Sequence, residues 1–105
     1  MMKPALLAAA LCVAGPSLTS ADSIDFATHL GNMLASENLC GLTYRPEAIE
    51  ALIAKKVKAD DIEFPTTLNL MTSGSEYRIR DLTASAKVAH CSQVRRAAKA
   101  YGFIE

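Results

Sequence analysis

The sequence predicts an all-α fold: a small bundle of about four helices closed by one long-range disulfide, Cys40 to Cys91. Three observations predict it. Apolar residues recur at helical spacing in four separate stretches, and no stretch sustains the two-residue alternation of a strand or an internal repeat. Cys40 and Cys91 are the two thiols left once an amino-terminal leader is set aside, and each lies beside one of those stripes.

Length and composition agree. The chain has 105 residues, half of them hydrophobic, with formal net charge zero. That balance fits a single folded domain and lies outside the range of disordered chains. Binding to nucleic acid or to an anionic membrane works through a strong excess of Lys and Arg, so neither partner is expected.

The amino terminus reads as a secretory signal peptide over residues 1–21. Met1, Met2 and Lys3 give a short positive region, Ala5 to Ala14 an apolar one, and Gly15-Pro16 a break before small residues ending at Ala21. Cleavage is expected before Asp22, leaving residues 22–105 as the helical domain. The apolar run is too short to span a bilayer, so no stable membrane anchor is expected. Leu11 before Cys12, in mid-run, does not fit a lipid-modified cysteine. Removing the leader takes Cys12 with it and leaves an even pair of cysteines in an oxidising compartment. A bridge closing a loop of about 50 residues stabilises by about 4 kcal/mol in the chain-entropy treatment. For a domain this small, that is comparable to its whole net stability.

The first helix is expected from Ile24 to about Asn38. Asp22 and Ser23 are good N-caps, Ile24, Ala27, Leu30 and Leu34 form the stripe, and Phe26 and Met33 widen it. Gly31 weakens this helix by about 1 kcal/mol relative to Ala. Gly41 after Cys40 is a left-handed stop. The second helix spans about Pro46 to Val57, with Ile49, Leu52, Ile53 and Val57 on one face, acids early and lysines late. The third opens on a capping box, Asp60 with Glu63, or on Asp61 as cap with Pro65 at the edge of the first turn. Its apolar positions are Phe64, Leu68 and Met71, and Gly74 is expected to end it. Glu76 to Arg80 then reads as a brief strand or a packed loop. The last helix runs from Leu82 or Thr83 to Tyr101, with Ala84, Val88, Cys91, Val94, Ala98 and Tyr101 on one inward stripe. Gly102 supplies its left-handed end, onto which Phe103 folds back.

No catalytic, cofactor-binding or metal residues are assigned. A zinc set can be drawn from Cys40, Cys91, His29 and His90, but zinc modules place ligands in close pairs, and oxidation removes both thiols. Surface histidines beside a structural disulfide are the better reading. A Cys91 nucleophile with His90 as base needs a free thiol, and neighbours on one helix point about 100° apart. The carboxylate pairs Asp60-Asp61 and Glu47-Glu50 are explained by capping or a solvated face. No phosphate loop, dinucleotide turn or serine elbow is present. Lys87, Arg95, Arg96 and Lys99, extended by Arg78 and Arg80, read as a solvated face, since no aromatics interleave them. Phe64, Met71, Tyr101 and Phe103 are read as core before they are read as a ligand pocket.

Leu39-Cys40-Gly41-Leu42-Thr43-Tyr44, Ser85-Ala86-Lys87-Val88-Ala89-His90-Cys91 and the ending Tyr101-Gly102-Phe103-Ile104 carry a resemblance to a group of short exported, two-cysteine helical proteins of rhizobial-type bacteria. Some members go under the label "signal recognition particle", whose protein is a cytosolic GTPase; this chain lacks the phosphate loop a GTPase needs. The resemblance implies export and a helical shape, with no catalytic residues to carry over. More loosely, the architecture is similar to periplasmic acid-stress chaperones of the HdeA type, small helical proteins held by one long-range disulfide. On that similarity, Cys40 and Cys91, set around helical segments, would correspond to that family's pair. The expectation is an exported, periplasmic or secreted, non-enzymatic protein that meets client or partner proteins, with envelope-stress or acid-stress chaperoning as its candidate role. Its rivals are a small-ligand or metal-binding module and a secreted effector or inhibitor.

Overall fold

Four helices follow one another in the computed structural model, which describes residues 20–105: α1 (Ser20–Leu39), α2 (Pro46–Lys56), α3 (Phe64–Ile79) and α4 (Ala84–Ala100). No strand occurs among the described residues, so the fold is all-α. The expected leader, residues 1–21, lies almost wholly outside the described residues, and the expected cut before Asp22 falls inside α1.

α1 is the central element. Ala27, Leu30, Met33, Ala35 and Ser36 are buried, and Phe26 and Leu34 pack against the core. Asp22 and Ser23 do not cap α1; both lie inside it, Asp22 in the first turn where an acid suits the dipole. Ile24 is half exposed, so the core stripe starts one turn later than the sequence pattern suggested. Contacts fix the helix directions. Ser23 Oγ donates to Asp61 Oδ2 at 3.4 Å and Phe26 stacks on Phe64 with ring centroids 5.7 Å apart, while Gly31 lies against Met71 and Thr72. Rising numbers on α1 meet rising numbers on α3, so these two run parallel. Ser36 meets His90 and His29 meets Tyr101, so α4 runs antiparallel to α1.

The α1–α3 seam is the closest in the fold. Ala27, Gly31 and Ala35 line up at four-residue spacing, a row of small residues into which a neighbouring ridge can sink. A methyl group built on Gly31 would lie 2.8 Å from the Thr72 backbone nitrogen and 3.0 Å from the Met71 carbonyl carbon. Gly31 is therefore a packing requirement and more than a helix weakness.

α3 departs most from expectation. It runs through Gly74 to Ile79, and Glu76 to Ile79, expected as strand or loop, is helical. Its inward row continues past the glycine: Ser75 and Ile79 are buried, and the Arg78 guanidinium donates to Ser75 Oγ at 2.8 Å. Burial of that last turn against α1 outweighs the roughly 1 kcal/mol that a mid-helix glycine costs. The expected capping box does not form. Glu63 is the N-cap without a side-chain bond, and Asp61 Oδ1 instead accepts from the Glu63 N–H at 3.3 Å. Pro65 sits in the first turn, where it leaves no hydrogen bond unmade.

Two helix ends obey the glycine rule. Gly41 (φ 66°) and Gly102 (φ 76°) are left-handed. Leu42 N–H donates to the Glu37 carbonyl at 2.9 Å and Phe103 N–H to the Ala98 carbonyl at 2.8 Å. These six-to-one bonds define Schellman endings. The second folds Phe103 into the core, fully buried, with Leu30, Met33, Tyr44, Phe64 and Ala98.

α2 spans the expected residues to within one, with Val57 as its C-cap. It is the shallowest element: none of its residues is fully buried. Ala48, Ile49, Leu52 and Ile53 lie half-covered against the core. Just before it, Tyr44 is anchored. Its hydroxyl donates to the Met33 carbonyl at 2.9 Å and its N–H to Glu37 Oε2 at 2.8 Å. Burial, and then the negative charge of Glu37, push the Tyr44 phenol up from 10.0 to about 12. The fold thus favours neutral tyrosine, so this contribution is complete below pH 10 and is lost as pH rises toward about 12. Urea midpoints of the native protein are expected to fall faster over that window than those of Tyr44→Phe. Parallel decline of the two would refute the assignment.

Candidate functional site

Cys40 and Cys91 are joined, as expected, across a sequence separation of 51 residues with Cα atoms 5.3 Å apart. Cys40 lies in the turn that ends α1, whereas Cys91 lies about two turns into α4. Because α4 runs antiparallel to α1, its first two turns reach past the end of α1, and Ala84, Lys87 and Val88 there are exposed. Ala84 and Val88, expected on the inward stripe, are therefore outside the core; Val88 is 69 % exposed. Only Cys91, Val94 and Ala98 of that stripe are buried, and Tyr101 sits at the surface edge.

The overhang makes an open groove of about 750 Å³. Leu39, Cys40 and Gly41 border it on one side, Ala84, Val88 and Cys91 on the other, with Lys87 and Arg95 at its edge. Thr83 fixes where the overhang begins, its hydroxyl accepting from the Ala86 N–H at 3.2 Å as the N-cap. α4 contains four cations and no acid. An apolar floor with two cations at the rim suits an apolar group that carries negative charge beside it.

The remaining basic residues do not gather there. Arg96 donates to the Gln93 side-chain oxygen at 3.4 Å. Arg78 is held by Ser75, and Arg80 lies 5.0 Å over the ring of Tyr77. The six-residue basic cluster of the sequence is thus divided, with Lys87 and Arg95 alone sharing the groove.

The two histidines belong to the α1–α4 seam. Ser36 Oγ donates to the Asn32 carbonyl at 2.7 Å and lies 2.7 Å from His90 Nε2. A hydroxyl has one proton, so Nε2–H of His90 is the donor to Ser36. His90 is half-buried on a buried serine and is no surface histidine. His29 is exposed, its Nε2 3.0 Å from the Tyr101 hydroxyl. Among the described residues no group of three or more His, Cys, Asp or Glu is placed to hold a metal ion. Phe64 and Phe103 are core, Met71 packs on it, and Tyr101 faces His29, so these four do not enclose a common pocket. No helix among the described residues is long and apolar enough to cross a membrane.

Sequence reasoning missed three side chains that hold the site's frame. Ser36 receives His90, Glu37 receives the Tyr44 N–H, and the Arg45 guanidinium donates twice to the Gly102 carbonyl, at 3.1 and 2.8 Å. Ser36 had a readable signal, a small polar residue one turn before the cysteine. The Arg45 partner is 57 residues away, and nothing local announces it.

Compared with protein-family models, curated proteins and solved structures, the chain matches none.

Proposed function

We propose that the chain is an exported, non-enzymatic helical protein that acts by protein contact, as an envelope or acid-stress chaperone. The observation that supports this most is the shallow seating of α2 inside a covalently closed loop. α2 lies between Cys40 and Cys91, buries no residue fully, and covers core side chains with half-buried ones. In strong acid, protonation of carboxylates leaves Lys, Arg and His unopposed, and the chain has 11 acids to lose. Protonating Glu37 also removes the charge that strengthens the Tyr44 N–H bond ahead of α2. α2 then lifts, the apolar surface beneath it is uncovered for a client, and the disulfide limits further expansion. Glu47 and Glu50 on α2 lose charge as well, leaving Lys55 and Lys56 to repel their surroundings.

Suppression of client aggregation at about pH 2 to 4, where carboxylates protonate, is the test. Protection is expected in acid and not at neutral pH, together with early amide exchange in residues 46–57. Absence of protection at every pH removes the reading.

A further inference from the structure

We propose that the groove beside the disulfide receives the acidic turn at Ile62 from a second copy of this chain. Two features argue this, one on each side of the contact. Ile62 is 85 % exposed, well above the other exposed large apolar side chains, and stands between Asp60, Asp61 and Glu63. The groove offers an exposed valine, Val88, between Lys87 and Arg95. Apolar knob and apolar floor match, and so do the charges beside them.

The knob is pre-organised. Ile62 N–H donates to the Asp60 carbonyl at 3.0 Å, Asp61 N–H to the Lys58 carbonyl at 3.1 Å, and Asp61 is tied to Ser23 and to the Glu63 N–H. Little ordering is therefore left for binding to accomplish. Asp61 is committed to those bonds and has Lys58 across a neighbouring groove, so Asp60 and Glu63, both exposed, are the acids that face the partner. The contact cannot form within one molecule. Asp61 sits beside Ser23 near the start of α1, the groove lies at its end, and seventeen helical residues separate them by roughly 25 Å. Knob and groove at opposite poles pair two copies twice around a two-fold axis, or link copies head to tail. With one apolar side chain and two acids per contact, association is weak and sensitive to salt. This inference does not rest on the chaperone reading and stands or falls separately.

Sedimentation velocity of the disulfide-bonded protein at pH 7, up to about 1 mM, tests it. The expected result is concentration-dependent association that weakens as NaCl is raised, and a loss of about tenfold or more in Ile62→Asp. The double variants Lys87→Glu/Arg95→Glu and Asp60→Lys/Glu63→Lys are each expected to be monomeric. Combining all four changes leaves net charge as it was and is expected to restore association, a result that general charge effects do not give. A monomer at every concentration overturns the proposal, as does association untouched by Ile62→Asp or a fourfold variant that stays monomeric. All five positions are exposed, so circular dichroism of each variant is expected to match the parent.

Discussion

Replacing Cys40 and Cys91 together by Ala is expected to lower the unfolding free energy by about 4 kcal/mol, the entropy of leaving a 51-residue separation open in the unfolded chain. For a domain of this size that corresponds to a drop in thermal midpoint of roughly 15–30 °C. The two residues are changed together because one alone would leave a free thiol at the groove. The effect is large because non-covalent support at this pole is thin: α4 overhangs α1 there, its first two turns carry exposed Ala84, Lys87 and Val88, and Ser36 with His90 ties the two helices beside the bridge. Paired denaturation of native and reduced protein measures the same quantity. A difference below about 1 kcal/mol would mean that helix packing alone holds α4 in place.

Gly31→Ala is the second large effect, and its sign is opposite to what helix propensity predicts. Propensity alone promises about 1 kcal/mol of added stability. In the folded protein the new methyl group would meet backbone atoms of Met71 and Thr72 at 2.8 to 3.0 Å. Backbone cannot rotate aside as a flexible side chain can, so α1 and α3 must separate along the seam where Ala27 and Ala35 are also buried. A loss of about 3 kcal/mol is expected. Gly74→Ala is the matched control: its methyl group would meet only the Arg78 guanidinium at 3.5 Å, an ordinary contact. That variant is expected to gain about 0.5–1 kcal/mol. Urea denaturation of both tests the seam, and a Gly31→Ala protein as stable as the parent would rule out the close approach.

These two glycines also mark the division between what the sequence by itself determined and what the tertiary structure decided. Periodicity located four helices, and the glycines after Cys40 and Tyr101 located two of their ends, because stripes and left-handed stops are local properties of the chain. Counting cysteines pointed to the bridge, since Cys12 falls in the expected leader and setting it aside leaves one pairing. Gly74 was read as a stop and Gly31 as a weakness because propensity ignores neighbours, yet one is overridden by burial of Ser75 and Ile79 and the other is demanded by α3. The groove was the least legible feature. Val88 lies one turn before Cys91 on the same side of α4, and only the offset of α4 against the end of α1, set by the bridge, leaves it uncovered. A residue's phase on its own helix is written in its neighbours along the chain. Whether that phase meets another helix or water depends on how far the other helix extends, a fact set in space by the bridge and the seam.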